Sequence, residues 1–133
     1  MGMILYKRTD TSVVCDLKEQ YIHIDEKTQT IQCYLNGIPV CFTYIHPECV
    51  STGLRKLEEI TLSDVIIGDL NVNYLQPVGH ERITKFCKDN HLVVSFIGPT
   101  HNNARLDHVL MSSAIAERIY YHVQSLFNLY SGP

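Results

Sequence analysis

The chain lacks the features that identify a secreted, membrane-spanning or disulfide-bonded protein. Its 133 residues contain no apolar run long enough to span a bilayer and no signal-peptide pattern after Met1. The five cysteines are an odd number without a C-x-x-C pair, which is typical of reduced thiols in the cytosol or the nucleus. We therefore expect an intracellular protein, cytoplasmic or nuclear, with no membrane partner.

The chain also lacks an excess of basic residues. Its formal net charge is −3, whereas proteins that bind polyanions without specificity usually carry a basic surface. Any contact with nucleic acid must therefore be local, assisted by a metal ion, or made by other chain segments. The seven histidines have no structural-zinc spacing, and the chain contains neither a phosphate-binding glycine loop nor a nucleophile elbow.

What the chain does contain is enough apolar sequence for a single folded domain, which we place over residues 1–133. Hydrophobic residues make up 45% and charged residues 19%, a balance that favours a packed core over disorder. Apolar and β-branched runs predict strands over 3–6 and 13–15 and a three-stranded antiparallel meander over 21–45. Asn36-Gly37 is the strongest hairpin signal and predicts the last turn of that meander.

The second half of the chain alternates predicted helices and strands. Ser51 or Thr52 would cap a helix that carries Leu54, Leu57 and Ile60 on one face. The further predicted elements are a strand over 64–68, a helix over 79–90, a strand over 92–94 and a strand over 105–111. The last segment fits two patterns, a helix capped by Ser113 with Ile115, Ile119 and Val123 on one stripe, and a strand over 120–123. The predicted fold class is α+β, a mainly antiparallel sheet flanked by helices.

Carboxylates lie at the ends of two predicted strands. Asp69 and Asn71 follow a buried apolar strand, a position where α/β folds commonly place chemistry. The same sequence also suits an ordinary turn, because Asp and Asn bond their own backbone. Asp107 lies near the start of another strand, where it would otherwise pair with Arg105 or cap a loop. If the two aspartates meet at one edge of the sheet, they form a hard-oxygen site for Mg²⁺ or Mn²⁺, suited to phosphodiester hydrolysis.

Four local patterns, in matching order and spacing, resemble the endonuclease/exonuclease/phosphatase (DNase I-like) superfamily, with its retroelement- and virus-associated endonucleases nearest. They are a glycine and an apolar strand over 2–6, a strand over 40–47 ending in Tyr-Ile-His-Pro, Gly-Asp-Leu-Asn over 68–71, and Pro99-Thr100 followed by Arg-Leu-Asp-His-Val-Leu over 105–110. The resemblance covers nearly the whole chain. It implies a half or reduced form of the family's β-sandwich, flanked by helices.

The resemblance implies a role for each matched polar residue. Asp69 would orient or activate the attacking water, and Asn71 would hold the phosphate. Tyr44 would contact the phosphate or stabilise the leaving oxygen. Asp107 would support either a Mg²⁺ or Mn²⁺ ion, together with Asp69, or the family's catalytic His. The substrate, DNA in preference to RNA, would be contacted by Asn73, Thr100 and Arg105.

The chain matches only the C-terminal portion of the family. The family's opening Asn strand and its metal-binding Glu would precede Met1. Its closing Asp-His would come near Ser131, where this chain reads Ser-Gly-Pro. His108 follows Asp107 directly, so on a strand it faces the opposite side of the sheet and does not replace the missing histidine.

Three functions are compatible with this pattern. The first is a Mg²⁺-dependent phosphodiesterase of the endonuclease type, with part of its site missing. The second is a binding module that keeps the nuclease scaffold without catalysis, and the third is a phosphatase acting on a small phosphoester. Half of a sandwich would leave one sheet face uncovered, and monomers avoid large apolar patches. We therefore expect a homo-oligomer or a partner chain on that face.

Overall fold

The structure, a computed structural model, describes residues 9–10, 12–17, 22–24, 28–60, 64–95 and 102–118. The strands in these residues are β1 (Cys15–Asp16), β2 (Ile22–Ile24), β3 (Thr28–Leu35), β4 (Ile38–Ile45), β5 (Val65–Asp69), β6 (Leu92–Val94) and β7 (Asp107–Ser112). The helices are α1 (Val50–Ile60), α2 (Pro77–Asp89) and α3, which begins at Ser113 and is described to residue 118. The strand predicted over 3–6 lies outside the described residues.

The seven strands form one sheet in the order β1-β3-β4-β5-β7-β6, with β2 also paired to β3. Among the described strands, β4 and β5 run parallel, and every other pairing is antiparallel. A parallel pair needs a crossover connection, which α1 supplies between β4 and β5. The prediction of an α+β fold with a mainly antiparallel sheet and flanking helices is confirmed.

The hairpin between β3 and β4 sets the register of the meander. Asn36 and Gly37 both have positive φ angles, 49° and 80°, as a type I′ turn requires. The turn pairs the last residue of β3 with the first of β4, and the register continues without a break to the far ends of both strands. With β2 antiparallel to β3, the predicted three-stranded meander is confirmed.

Side chains alternate between two faces of the sheet. The helix face packs against α1 and α2 in one buried cluster, whose members include Cys41, Ile45, Ile66 and Leu110 from the sheet and Leu57, Ile83 and Phe86 from the helices. The opposite face, which we call the far face, carries a second buried cluster, against which α3 packs; it comprises Val40, Val65 and Met111, with Phe42, Ile67, Val109, Ile115 and Ala116 beside them. Phe42, Ile67 and Val109 are only half-buried.

Helix α2 buries the stripe that its sequence predicts. Ile83, Phe86 and Cys87 lie at i, i+3 and i+4 spacing and are at most 5% exposed. The helix begins at Pro77, two residues before the predicted start. Proline suits this position, because the first N–H groups of a helix have no partner within it.

Helix α1 begins earlier than the predicted caps, Ser51 or Thr52. A 3-10 turn, Pro47–Cys49, leads directly into it. His46 caps that turn, since its Nδ1 accepts a hydrogen bond from the Glu48 N–H at 3.2 Å. A side-chain acceptor followed by proline is enough to start the helical segment, so the predicted cap was wrong.

The chain leaves β7 directly into α3. The Ser112 Oγ accepts a hydrogen bond from the Ile115 N–H at 3.5 Å, so Ser112 is the cap, one residue before the predicted Ser113. Of the two patterns that fitted from this point, the helix is formed up to residue 118, and the alternative strand over 120–123 lies outside the described residues. No helix in the described part of the chain is long and apolar enough to cross a membrane.

Candidate functional site

Three predicted site residues lie side by side across three adjacent strands. The parallel register of β4 and β5 places Tyr44 beside Asp69, and the antiparallel register of β5 and β7 places Asp69 beside Asp107. Side chains in register across a ladder point to the same face, and here that is the far face. The two aspartates therefore lie opposite each other on one face of the sheet, the arrangement on which the sequence prediction of a hard-oxygen site depends.

The two aspartates occupy the closest kind of pair that an antiparallel ladder offers. The Leu70 N–H donates to the Leu106 carbonyl at 3.1 Å, so Leu70 and Leu106 form a hydrogen-bonded pair. Such pairs alternate with non-hydrogen-bonded pairs, in which the side chains are closer together. Asp69 and Asp107 are of this second kind, with Asp69 half-buried and Asp107 exposed. Like charges placed directly opposite each other repel, so a bound cation would stabilise this pair.

The row continues onto β3 with a residue that the sequence prediction missed. Gln29 lies in register with Tyr44 and is 8% exposed. We call Gln29, Tyr44, Asp69 and Asp107 the polar row. Gln29 could have been predicted from the hairpin, because a two-residue turn at Asn36-Gly37 sets the partner of every residue along β3 and β4.

The segment after β5 combines turn chemistry with a tie to β4. The Asp69 Oδ1 accepts a hydrogen bond from the Asn71 N–H at 2.9 Å, which is the turn interaction expected from Gly-Asp-x-Asn. Asn71 has a φ of 51°, a conformation that asparagine tolerates well. The Asn71 Nδ2 donates to the Ile45 carbonyl at 2.6 Å. The turn thus holds Asn71 at the end of β4, next to Tyr44.

Two glycines make this arrangement sterically feasible. A Cβ on Gly68, whose φ is 153°, would lie 1.8 Å from the Thr43 carbonyl oxygen. A Cβ on Gly79 in α2 would lie 1.9 Å from the Asn73 carbonyl oxygen. Real Cβ atoms do not approach carbonyl oxygens so closely, so glycine is required at both positions. Gly68 allows β5 to approach β4, and Gly79 allows α2 to approach the segment after β5.

Asn73 and Arg105, two predicted substrate contacts, are linked to each other by a hydrogen bond. Asn73 Oδ1 accepts hydrogen bonds from the Leu75 and Arg105 N–H groups, each at 3.1 Å. The Arg105 side chain is 1% exposed, and its guanidinium carbon lies 5.4 Å from the centre of the Tyr74 ring, within cation–π range. Burial lowers the pKa of Arg105 from its ordinary value. Thr100, the third predicted contact, lies outside the described residues.

His108 lies on the helix face, opposite to Asp107, as the strand alternation predicts. It is 2% exposed, and its Nε2 donates to the Val72 carbonyl at 2.8 Å. Its ring meets Tyr74 edge to face, with centroids 6.5 Å apart. Burial is the main cause that lowers the pKa of His108, against the smaller opposing effect of the Val72 hydrogen bond. The imidazole therefore serves packing and cannot reach the polar row.

The polar row fits a hard cation in the chemistry of its donors. Mg²⁺ in proteins is often held by one or two carboxylates and completes its shell with water and substrate phosphates. Asp69 and Asp107 supply two such carboxylates on one face. Within the described ranges, no group of three or more His, Cys, Asp and Glu side chains could hold a metal ion. Any further ligands would therefore have to come from water, substrate or elsewhere.

Comparison of the chain with models of known protein families and with curated proteins found no match. The resemblance to the DNase I-like superfamily consists of local motifs. Two of these, over 40–47 and 68–71, lie entirely within the described residues and contribute Tyr44 and Asp69 to the polar row.

Proposed function

We propose that this chain is a Mg²⁺-dependent phosphodiester hydrolase domain of the DNase I-like type, with the polar row as its phosphate-facing edge. One observation carries the proposal. Asp69 and Asp107, predicted from separate motifs, are direct partners across β5 and β7, and Tyr44 lies in register beside them.

Tyr44, Asp69 and Asp107 of the row, together with Asn71, have chemical tasks in this proposal. A Mg²⁺ or Mn²⁺ ion, when bound, supplies positive charge to a phosphate oxygen. Asp69 and Asp107 hold that ion, and Asp69 also orients the attacking water. The Tyr44 hydroxyl donates a hydrogen bond to a phosphate oxygen or to the leaving oxygen. An amide nitrogen has two donors, so Asn71 binds phosphate through the N–H that does not face the Ile45 carbonyl.

The substrate class that fits is a phosphodiester of nucleic acid, DNA in preference to RNA. A net charge of −3 makes broad electrostatic attachment to a polyanion unfavourable. Binding would therefore be local to the polar row, with the cation providing the attraction.

The half-buried apolar side chains of the far face support a second part of the proposal, a homo-oligomer or a partner chain. Phe42, Ile67 and Val109 adjoin the polar row on that face, where a DNase I-like sandwich would carry its second sheet. Covering them would remove apolar area from water. Gel filtration at low micromolar concentration tests this, and a stable monomer would contradict it.

A second candidate function is a binding module that keeps the nuclease scaffold without turnover. Three observations favour it: His108 is buried away from the row, Arg105 is buried against Tyr74, and the Asn71 amide bonds to the backbone of β4. In this candidate the polar row binds a phosphate group or a cation and does no chemistry.

Metal binding at the row is tested by thermal unfolding in millimolar MgCl₂ or MnCl₂. The change Asp69→Asn keeps an oxygen that accepts from the Asn71 N–H and removes only the charge. The matched control is Asp64→Asn, just before the opposite end of β5. Saturation 100-fold above the dissociation constant stabilises by about 2.7 kcal/mol, or about 10 °C in Tm. The shift should appear in the wild type and in Asp64→Asn and be absent from Asp69→Asn.

Catalysis is tested separately with single-stranded, nicked and abasic oligonucleotides in Mg²⁺. Cleavage that Asp69→Asn abolishes and Asp64→Asn preserves supports the hydrolase. Cleavage unchanged in Asp69→Asn would be that of a contaminating nuclease and would contradict it. A metal-dependent Tm shift without cleavage supports the binding module in its cation-binding form. No shift in the wild type or in Asp64→Asn would contradict the hydrolase and that form of the module.

A further inference from the structure

The edge strand β1 is held against β3 at the hairpin turn. The Asn36 N–H donates to the Val14 carbonyl at 2.9 Å, and the Val14 N–H donates to the Asn36 Oδ1 at 2.8 Å. Asn36 thus binds both backbone groups of Val14, its carbonyl and its N–H. These two hydrogen bonds fix the position of the next residue, Cys15, on the sheet.

The register of β1 and β3 brings two thiols together. Cys15 lies opposite Leu35, so Cys33, two residues back along β3, points to the same face. Cys15 is the neighbouring side chain that acts on the Cys33 thiol through charge and hydrogen bonding. Both cysteines are in the reduced state. They form a dithiol pair at the corner of the far face that is remote from the polar row.

The two thiols differ in exposure. Cys15 is half-buried and open to small reagents, whereas Cys33 is 1% exposed. Burial first, and then the neighbouring Cys15, raise the pKa of the Cys33 thiol to about 11. The thiolate is the reactive form of a cysteine, and Cys33 is both buried and less readily ionised. Cys15 therefore reacts first with an oxidant, and Cys33 reacts second.

We propose that Cys15 and Cys33 are a redox-active pair that a hydroperoxide closes to a reversible disulfide. The Cys15 thiolate attacks the peroxide, the O–O bond breaks, and the alkoxide or hydroxide leaves as an alcohol or water, with a sulfenic acid on Cys15. The Cys33 sulfur then attacks Cys15, the S–O bond breaks, and the hydroxyl leaves as water with the Cys33 proton. Two thiols and one hydroperoxide yield one disulfide, one alcohol or water and one further water.

The closed disulfide would tie β1 covalently to the middle of the sheet. A disulfide brings its sulfurs to about 2 Å, so the edge strand must move toward β3. β1 has only two residues and is the last strand on its side of the sheet among the described residues, so no further described strand opposes this movement. Cys33 pairs with Val40 in the cluster of the far face, so the oxidised form also rigidifies the corner of that face.

The pair is tested on the full chain with stoichiometric hydrogen peroxide, followed by alkylation and peptide mass mapping. The expected product is one intramolecular Cys15–Cys33 link that dithiothreitol reverses. Its formation should raise Tm by about 5 °C. Cys33→Ser should leave Cys15 as a sulfenic acid that a dimedone probe captures, and Cys15→Ser should leave Cys33 unmodified.

Cys49 is the matched control, because it is half-buried like Cys15 but follows the opposite end of β4. Cys49→Ser should not change the yield of the Cys15–Cys33 link. The proposal is overturned if peroxide leaves Cys33 open to alkylation in the wild type while Cys15 is oxidised. It is equally overturned if the wild type forms links through Cys49, or links between chains, in preference to Cys15–Cys33.

Discussion

Two pairs of residues, adjacent in the sheet, have opposite surroundings. Across β5 and β7, Gly68 lies opposite His108 and Asp69 lies opposite Asp107. The first pair faces the helices, where His108 is 2% exposed. The second pair faces the other way, and Asp107 is exposed. Neighbouring residues on the same two strands therefore have different surroundings. Gly68 and His108 face the helices, whereas Asp69 and Asp107 face away from them.

The Asp69–Asp107 pair depends on the Gly68–His108 pair beside it. The packing pair brings β5 close to β4, since Gly68 leaves no side chain between them, and closes the interior with the His108 ring. That closeness is what sets Tyr44 and Asp69 in register on the other face. The geometry of the polar row thus depends on residues that lie on the other face, and substitutions in the two pairs should differ sharply in effect.

The largest effect is expected from Gly68→Ala. The added Cβ would lie 1.8 Å from the Thr43 carbonyl oxygen at a φ of 153°, so β5 would have to separate from β4. We expect a loss of more than about 3 kcal/mol in the free energy of unfolding, measured by urea denaturation.

The control for this change is Gly37→Ala, at a φ of 80° with no atom within 4 Å of the added Cβ. This variant loses only the free energy needed to hold a non-glycine residue at a positive φ, about 1 kcal/mol. Equal losses in the two variants would mean that close approach of the strands is not what Gly68 provides.

An intermediate effect is expected from pH, through His108. Burial lowers its pKa below the ordinary 6.5 in the folded state, so the unfolded chain takes up a proton first as pH falls. The stability from neutral His108 is fully present above about pH 6.5 and declines as pH falls toward the folded pKa, by at most about 1.4 kcal/mol per pH unit. The charge of Arg105 also lowers the pKa of His108, whereas the charge of Asp107 raises it.

His108→Gln checks this prediction, because glutamine retains a donor for the Val72 carbonyl but does not titrate. Urea denaturation at a series of pH values from 7 to 5 should give a shallower fall in stability for the variant than for the wild type. Parallel curves would show that His108 is not the source of the pH dependence.

The smallest effect is expected from the acidic pair. Asp107→Asn removes one of two like charges in a non-hydrogen-bonded ladder pair. In the presence of a chelator it should stabilise the chain by about 0.2–1 kcal/mol, measured as a rise in Tm. High salt should reduce the gain, because it screens exposed charges. A loss of stability would mean that the carboxylate is held by favourable contacts that outweigh the repulsion.

Much of the fold could be predicted from local pattern. Period-two alternation and Asn36-Gly37 located the meander, and the i, i+3, i+4 stripe of α2 located its buried face. The helix starts were missed where backbone N–H groups found unexpected acceptors, His46 for the turn before α1 and Ser112 for α3. Such choices depend on which side chain happens to reach the N–H groups.

The candidate site divides in the same way. The turn bond of Asp69 and the outward position of Asp107 relative to His108 follow from residue type and alternation. Gln29 is not part of any predicted motif, although the hairpin register pairs it with Tyr44. Arg105 was predicted as a substrate contact from its place in a motif, and only the packing of Tyr74 against it reveals a buried guanidinium.

Local sequence was enough to predict the meander, the hairpin at Asn36-Gly37, the strands β5 and β6 to within a residue and the turn after β5. These depend on contacts within a few residues, where sterics and hydrogen-bonding options are limited. Only the tertiary structure decided that β5 lies between β4 and β7 in registers that align Tyr44, Asp69 and Asp107. Strand neighbours distant in the chain are selected by the packing of the whole sheet against its helices, and no local pattern encodes that choice.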